Sequence, residues 1–188
     1  MKIIRTSLPG VIVFEPKRLG DTRGFFVETF RQQMLKDAGI NGHFVQDNHS
    51  RSSKGVLRGL HYQLVPPQGK LVRVASGAVY DVAVDIRNGS PTQGQSFGVV
   101  LDEESMRIMY VPPGFAHGFM VISDTADFIY KCTDYYHPQS EQGILWNDPA
   151  LNINWPLDDV ILSKRDQNNP LLSQQPADKL PSMKLSKQ

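Results

Sequence analysis

The stretch from Leu71 to Arg87, LVRVASGAVYDVAVDIR, alternates apolar and polar residues and constrains the fold more than any other part of the chain. A period of two residues predicts β-strands, because successive side chains of a strand point to opposite faces. Ser76-Gly77 divides the stretch into two strands, and the NGSP sequence from Asn88 to Pro91 predicts a turn after the second. In the second strand one face carries Tyr80, Val82, Val84 and Ile86, and the other carries Val79, Asp81, Ala83 and Asp85.

Two later segments repeat this pattern around short polar connections. SFGVVL and MRIMYV flank DEES, and FMVI and DFIYKCTDYY flank SDTA, so each pair is predicted to form an antiparallel hairpin. Only FRQQMLKDAG, from Phe30 to Gly39, indicates a helix, which Gly39 is expected to end. Many short strands with a few short helices are typical of a β-sandwich, a jelly roll or a barrel, and we favour an antiparallel jelly roll.

Composition sets the class of protein and its organisation. Of 188 residues, 40% are hydrophobic and 21% are charged, which is typical of a globular domain rather than a disordered, fibrous or membrane chain. Residues 1–170 are predicted to form a single domain. Residues 171–188 are polar and interrupted by proline, and we expect them to form a loosely ordered tail.

Charge and cysteine content narrow the partners and the compartment. A formal net charge of +1 provides no general field to attract a nucleic acid polymer. The single Cys132 cannot form an intramolecular disulfide, and MKIIRTSLPG lacks a long apolar run, so we expect a cytoplasmic protein with no membrane partner.

The hexapeptide RGLHYQ, residues 58–63, places polar side chains in an apolar stretch. A short hairpin would bring Lys70 from the next strand to His61, although a structural histidine and a solvated lysine are the simpler interpretation. In a regular strand Arg58 and His61 point to opposite faces. If both serve one site, we expect the backbone irregularity at Gly59, since glycine tolerates angles that a strand otherwise forbids.

The sequence VPPGFAHGF contains Pro112, Gly114 and His117 in the spacing PxGxxH. In cupin-type jelly rolls a motif of this kind delivers a histidine into the barrel, often onto a metal. A metal needs several converging nitrogen or oxygen ligands, and His61 is followed by Tyr62 and Gln63 rather than by a second histidine. We therefore predict no catalytic metal.

Three further segments carry candidate residues, each with a structural alternative. The tyrosines of DFIYKCTDYY could be core or rim residues, or a proton donor and stacking surface in a cavity. Arg23 could hold a phosphate or carboxylate through its bidentate fork, whereas its neighbours suit turns and caps. Asp166 could cap a turn, or orient a catalytic histidine by accepting a hydrogen bond from one ring nitrogen.

Taken in order along the chain, these motifs resemble the dTDP-4-dehydrorhamnose 3,5-epimerase family. The resemblance runs from about Met1 to Pro170 and does not cover the tail. It is carried by DTRGFFVETF, FVQDNHSRSSKGVLRGLHYQ, QGKLVRV, GAVYDVAVDIR, PPGFAHGF, YKCTDYY and LSKRD.

The resemblance implies a metal-free cupin-type jelly roll without a cofactor, usually a homodimer, acting on dTDP-4-dehydro-6-deoxy-glucose in the pathway to dTDP-L-rhamnose. By motif position it makes His61 the base, paired with Asp166, Tyr130 the acid and Lys70 the group that steadies the enolate. Tyr136 is a candidate to stack on the thymine. The substrate contacts it implies are Arg23, Glu28, Gln46, Asp47, Asn48, Arg58, His117, Glu141 and Arg165, the last standing where many relatives have lysine.

The chemistry accounts for this set of residues. A C4 ketone acidifies the hydrogens on C3 and C5, so one base could act at both carbons, and inversion requires an acid on the opposite face. Three alternatives stay open: an epimerase acting at only C3 or C5, a metal-dependent cupin, and a non-catalytic module that binds sugar nucleotides.

Overall fold

Two β-sheets face each other across a shared apolar core in the computed structural model, which describes residues 1–183. The helices are α1 (Gln32–Asp37) and α2 (Lys164–Gln167), and short 3-10 helices lie at Pro138–Ser140, Leu172–Gln174 and Ala177–Lys179. The strands, in chain order, are β1 (Lys2–Arg5), β2 (Ile12–Glu15), β3 (Arg18–Asp21), β4 (Gly24–Val27), β5 (Gln46–Ser53), β6 (Leu57–Gln63), β7 (Lys70–Ser76), β8 (Ala78–Asp85), β9 (Ser96–Asp102), β10 (Ile108–Val111), β11 (Phe115–Val121), β12 (Thr125–Cys132) and β13 (Glu141–Gly143).

The sheet order is that of an antiparallel jelly roll. The six-stranded sheet runs β1-β2-β10-β7-β12-β5 and the five-stranded sheet runs β13-β6-β11-β8-β9, while β3 and β4 form a separate two-stranded hairpin. Neighbouring strands in both sheets pair antiparallel. The prediction of a mainly β, cupin-type jelly roll with a few short helices is confirmed.

The two predicted hairpins are wrong, because both connections cross from one sheet to the other. β9 lies in the five-stranded sheet and β10 in the six-stranded sheet, and β11 and β12 are divided in the same way. β6 and β7 also belong to different sheets, so no hairpin joins His61 to Lys70. Alternation identifies a strand and its buried face, but both sheets bury one face on the same core, so the pattern does not reveal which sheet a strand joins.

Three apolar clusters hold the layers together. The first fills the space between the sheets and includes Val72, Leu101 and Phe128. The second lies on the outer face of the six-stranded sheet, where α1 contributes Met34 and Leu35. That helix is shorter than predicted, and Gly39 follows it with a φ of 83°, in the left-handed region that glycine favours after a helix.

The third cluster explains why residues 171–183 do not form the loosely ordered tail we expected. Leu172 and Leu180 pack against the outer face of the five-stranded sheet. The Tyr62 hydroxyl donates to the Lys179 carbonyl at 2.8 Å, and the backbone N–H of Asn88 donates to the Pro181 carbonyl at 2.8 Å. Residues 184–188 of the predicted tail lie outside the described residues.

Within residues 1–183, no helix has the length and apolar character needed to cross a bilayer.

Candidate active site

A cavity of about 780 Å³ opens between the two sheets at the end of the core. The five-stranded sheet contributes His61 and His117 to its wall, and the six-stranded sheet contributes Lys70 and Tyr130. Phe119 and Phe128, which stack with ring centroids 4.0 Å apart, provide an apolar surface between these polar groups. Nine of the predicted site residues line this cavity: Asp47, Asn48, Arg58, His61, Lys70, His117, Tyr130, Arg165 and Asp166.

A bulge in β6 lets Arg58 and His61 share the cavity. His117 of β11 pairs with His61 and Phe119 pairs with Arg58, so two steps along β11 oppose three steps along β6. Gly59 has a φ of 127°, a conformation that L side chains rarely adopt. The irregularity predicted at Gly59 is confirmed.

His61 is oriented by a buried carboxylate. Its Nε2–H donates to Asp166 Oδ1 at 2.6 Å, and the Asp166 side chain is only 4% exposed. Burial opposes the charged form of Asp166, but the hydrogen bonds from His61, Ser163 and the Gly59 N–H outweigh it and hold the pKa of this carboxyl below its ordinary value. The carboxylate therefore stays ionised and leaves Nδ1 of His61 as the ring nitrogen that can accept a proton.

A second histidine–carboxylate pair lies in the same cavity, and its acidic member was missing from our set of candidates. The His117 Nε2–H donates to Asp81 Oδ1 at 2.9 Å, and Asp81 is fully buried. In the sequence, Asp81 falls on the same strand face as Val79 and Ala83, which belong to the core between the sheets. An acidic residue on the buried face of an alternating strand is the signal that could have found it.

The opposite wall carries a phenol and an ammonium. Burial raises the pKa of Tyr130, and the neighbouring Cys132 and Glu141 side chains raise it further, so the phenol stays protonated. Burial lowers the pKa of Lys70, which stands directly across from Cys132 in the pairing of β7 with β12. Among the residues that the structure describes, no carboxylate lies within the 4.0 Å of an ion pair with Lys70, so its charge can meet a substrate oxygen.

Arg58 adds a second cation whose charge is not neutralised. Its Nε and Nη2 donate to Ser52 Oγ at 3.2 and 3.1 Å, a neutral partner. Among residues 1–183 it forms no ion pair with a carboxylate. A guanidinium in this state can bind a phosphate oxygen through both of its edges.

Three predicted residues lie at the rim and connect to the cavity wall by hydrogen bonds. Gln46 Nε2 donates to Asn48 Oδ1 at 3.0 Å, while Gln46 Oε1 accepts from the Tyr136 N–H at 2.8 Å. The Tyr136 hydroxyl donates to Glu141 Oε2 at 2.8 Å, and Arg165 donates to the same oxygen. Glu141 stays ionised, because these donors outweigh the burial that would otherwise raise its pKa.

Arg23 and Glu28 are the two predicted residues that the structure does not bring to the cavity of their own chain. Arg23 Nη2 donates to Asp21 Oδ2 at 2.5 Å on the exposed β3–β4 hairpin. Glu28 Oε2 accepts from Arg31 Nη2 at 2.6 Å just beyond this hairpin. The β3–β4 hairpin and Glu28, which directly follows it, form a segment that we call the arm. Within one chain the arm lies away from the cavity.

A metal site would need several ligating side chains close together. Across residues 1–183, no three histidine, cysteine, aspartate or glutamate side chains come together as a possible metal-binding group. Asp166 and Asp81 each hold the Nε2–H of a histidine in the described structure.

An epimerase needs a base on one side of a carbon and an acid on the other, and this cavity offers an imidazole on one sheet and a phenol on the facing sheet. Fold and site together define the chain as a cupin-type epimerase. It belongs to the dTDP-4-dehydrorhamnose 3,5-epimerase family, whose model matches residues 5–174.

Known proteins agree with this assignment. The chain is 55% identical over 170 residues to dTDP-4-dehydrorhamnose 3,5-epimerase from Shigella flexneri, covering 89% of this chain and 94% of that one. Among solved structures it is similar to dTDP-6-deoxy-D-glucose-3,5-epimerase from Legionella pneumophila in complex with dTDP-4-keto-L-rhamnose, with 55% identity, a TM-score of 0.94 and coverage of 96% and 97%. A 3'-monoepimerase from Streptomyces bikiniensis in complex with dTDP-quinovose is similar at 36% identity, with a TM-score of 0.89 and coverage of 96% and 93%.

Proposed function

We propose that this chain epimerises dTDP-4-dehydro-6-deoxy-D-glucose at C3 and C5 to dTDP-4-dehydro-L-rhamnose, as one step of dTDP-L-rhamnose biosynthesis. The observation that carries the proposal is the position of His61 and Tyr130 on facing sheets of one cavity. The relatives support the reaction, since the Legionella pneumophila structure holds dTDP-4-keto-L-rhamnose, which is the product proposed here.

His61 acts as the base in this mechanism. The C4 ketone acidifies the adjacent C–H bond, and Nδ1 of His61 accepts that proton while Nε2–H remains bonded to Asp166. The ionised Asp166 then stabilises the imidazolium that forms. The electron pair of the broken C–H bond moves into the enolate, so negative charge develops on the C4 oxygen.

Lys70 stabilises this enolate. Its ammonium is held in the cavity wall and has no carboxylate partner among the described residues, so it is already in place when the charge develops. His117 lies on the facing wall, where Asp81 fixes its ring, and we place it among the substrate contacts. Loss of one preorganised donor of this kind costs about 3 kcal/mol of transition-state stabilisation.

Tyr130 completes the inversion. Its phenol is protonated, since burial raises its pKa, and it stands on the sheet opposite His61. Transfer of the phenol proton to the carbon from that side gives the inverted centre and re-forms the ketone. His61 then releases its proton to water and the Tyr130 phenolate takes one up from water, which restores both groups. The same two groups serve C3 and C5 if the sugar turns to present each carbon in succession.

The nucleotide half of the substrate accounts for the remaining residues. Arg58 suits the diphosphate because its guanidinium has only a hydroxyl partner. Tyr136, about half exposed at the rim beside Glu141, is the candidate platform for the thymine ring. Gln46, Asp47, Asn48 and Arg165 supply polar contacts around these groups.

An incubation of substrate and enzyme in deuterated water tests the activity. We expect solvent deuterium at both C3 and C5 of the product, and its absence from both positions would refute the proposal. The second candidate function is epimerisation at one carbon only, favoured by the similarity to a 3'-monoepimerase, and it would label one position. His61→Asn should bind the dTDP-sugar but lose turnover, whereas a mere binding module would keep its function.

A homodimer explains the position of Arg23 and Glu28. The β3–β4 hairpin exposes Leu19, Phe25 and Phe26 by 53%, 51% and 70%, apolar surface that a second copy of the chain could cover. We propose that this arm reaches the cavity of the partner subunit, where Arg23 and Glu28 contact the substrate.

Mixing two inactive variants tests this arrangement. Arg23→Ala and His61→Asn each inactivate both sites of a homodimer, but a mixed dimer would contain one site with an intact Arg23 and an intact His61. After subunit exchange we expect about one quarter of wild-type activity. No recovery in a mixture shown by mass spectrometry to contain mixed dimers would refute the exchanged arm.

The cellular setting remains part of the proposal. We place the activity in the cytoplasm, supported by a single cysteine that is buried and unpaired. The partners we propose are the small-molecule sugar nucleotide and a second copy of the chain, with neither nucleic acid nor membrane involved.

A further inference from the structure

The backbone N–H of Asp166 is hydrogen-bonded to the hydroxyl of Ser163. Asp166 lies in α2, a helix of only four residues whose N-cap is Ser163. The Asp166 N–H donates to Ser163 Oγ at 3.1 Å, and the Gln167 N–H donates to the Ser163 carbonyl at 3.1 Å. So short a helix has little stability of its own, and the cap bond is a large share of what fixes the turn.

Ser163 and Asp166 have the spacing of a capping box, but only one of the two hydrogen bonds of such a box is formed. In a complete box the acidic residue at the third helical position, here Asp166, would accept from the N-cap backbone N–H. Instead the Asp166 carboxylate accepts from His61 Nε2 at 2.6 Å. Ser163 therefore caps the helix alone, and the carboxylate is available to the base.

We propose that Ser163 is a positioning residue for the His61–Asp166 pair: its hydroxyl fixes the backbone of Asp166 so that the carboxylate holds the His61 ring in the orientation needed for proton abstraction. This inference rests on the proposed function, in which His61 is the base. It assigns Ser163 a role in addition to lining the cavity.

Two observations connect Ser163 to the proton chemistry as well as to the helix. The Ser163 side chain is one of the groups that, after His61, hold the pKa of Asp166 below its ordinary value against the effect of burial. The Asp166 side chain is also only 4% exposed, so water has little access with which to replace a lost hydrogen bond.

The test compares three variants with the wild-type protein. Ser163→Ala removes the cap, and Ser163→Thr retains a hydroxyl that can accept from the Asp166 N–H. Asn168→Ala is the matched control, because Asn168 Nδ2 donates to the Lys164 carbonyl at 2.6 Å and supports the same turn without contacting Asp166. The measurements are kcat and KM, and the NMR signal of the His61 Nε2–H proton, which reports its hydrogen bond to Asp166.

For Ser163→Ala we expect kcat to fall about tenfold with KM nearly unchanged, since a cap bond is worth roughly that factor. A misplaced carboxylate weakens the hydrogen bond from His61 Nε2–H, so the NMR signal of this proton should move toward the position of an imidazole N–H without that bond. Ser163→Thr should restore kcat and this signal, and Asn168→Ala should resemble the wild type.

Two results would overturn the inference. Equal losses in Ser163→Ala and Asn168→Ala would mean that Ser163 only stabilises the helix. An unmoved His61 Nε2–H signal in Ser163→Ala would mean that Ser163 does not act on the pair. Failure of the proposed function has a different signature, in which the wild-type protein exchanges neither C3 nor C5 with solvent. The NMR signal of His61 tests the role of Ser163 in that case too, because it needs no substrate.

Discussion

His61 Nε2 and Asp166 Oδ1 lie 2.6 Å apart although the two residues are separated by 105 positions in the chain. The contact joins the centre of β6 to the short helix α2, which follows the last strand. Asp166 lies in a helix outside both sheets, so a conservative substitution there changes the partner of His61 without altering a strand.

Asp166→Asn tests the contact directly. An amide at this position cannot stabilise an imidazolium and can favour the wrong ring tautomer, so we expect kcat to fall by about 10²- to 10⁴-fold with substrate binding retained. Steady-state kinetics and calorimetric titration with dTDP measure the two effects. Asp178→Asn, at an exposed carboxylate away from the cavity, serves as the control. Near-normal kcat in Asp166→Asn would contradict the assignment of the base.

Tyr130→Phe separates proton removal from inversion. The variant keeps His61, so it should still exchange the substrate C–H with deuterated water, but the proton returns from the same face. We expect deuterium in recovered substrate and very little inverted product, as seen by NMR of the sugar carbons. Tyr135→Phe, in an exposed loop position, is the control. Inverted product at the wild-type rate from Tyr130→Phe would exclude Tyr130 as the acid.

Local patterns predicted the strands and much of the site, while the pairing of strands required the fold. Gly59 could be identified from the sequence because a regular strand would send Arg58 and His61 to opposite faces. The hairpin predictions failed because a four-residue polar connection serves a turn within one sheet as well as a crossing between two sheets. Whether the chain turns back within its own sheet or crosses to the other sheet depends on long-range strand pairing, which no local pattern encodes.

The difference between local pattern and spatial arrangement also explains what the sequence did not show about Asp81 and Arg23. Asp81 could have been suspected from its place on a buried strand face, but its partner His117 is known only from the register of β8 with β11. The sequence likewise did not show that Arg23 lies on the exposed β3–β4 hairpin, away from the cavity. A motif identifies a residue as a candidate for the site without showing where the fold places it.

Lys70 should control the alkaline limb of the pH profile. Burial lowers the pKa of Lys70 and raises the pKa of Tyr130, so as pH rises the ammonium loses its proton before the phenol does. Activity that depends on a charged Lys70 is therefore present below the lowered pKa and disappears as pH increases through it.

Lys70→Arg tests this order. A guanidinium keeps its charge to above about pH 12, so the alkaline limb should move to higher pH even though the changed geometry reduces kcat. Lys70→Met should lose about 10²- to 10³-fold in kcat at pH values where wild-type Lys70 is charged, and this difference should shrink on the alkaline side of the profile. Lys54→Arg, at an exposed site outside the cavity, should leave the profile unchanged. An alkaline limb that stays in place in Lys70→Arg would assign it to another group.

Gly59→Ala should damage both stability and activity, since the bulge in β6 has no room for a side chain. A Cβ at Gly59 would lie 2.6 Å from Gly118 Cα and 2.8 Å from the His117 carbonyl oxygen, and both are backbone atoms that cannot move aside easily. The φ of 127° adds strain to this overlap.

We expect Gly59→Ala to lower the free energy of unfolding by at least about 3 kcal/mol, measured by urea denaturation. Gly89→Ala is the matched control, because Gly89 also has a positive φ of 80° but a Cβ there would meet nothing within 4 Å. Gly89→Ala should lower the free energy of unfolding only by the strain of a left-handed backbone, about 1 to 2 kcal/mol. Any Gly59→Ala protein that folds should also lose kcat, because relief of the overlap separates β6 from β11 and moves His61 relative to the substrate. Equal stability losses in the two variants would show that φ alone, and not the close approach of the strands, requires glycine at position 59.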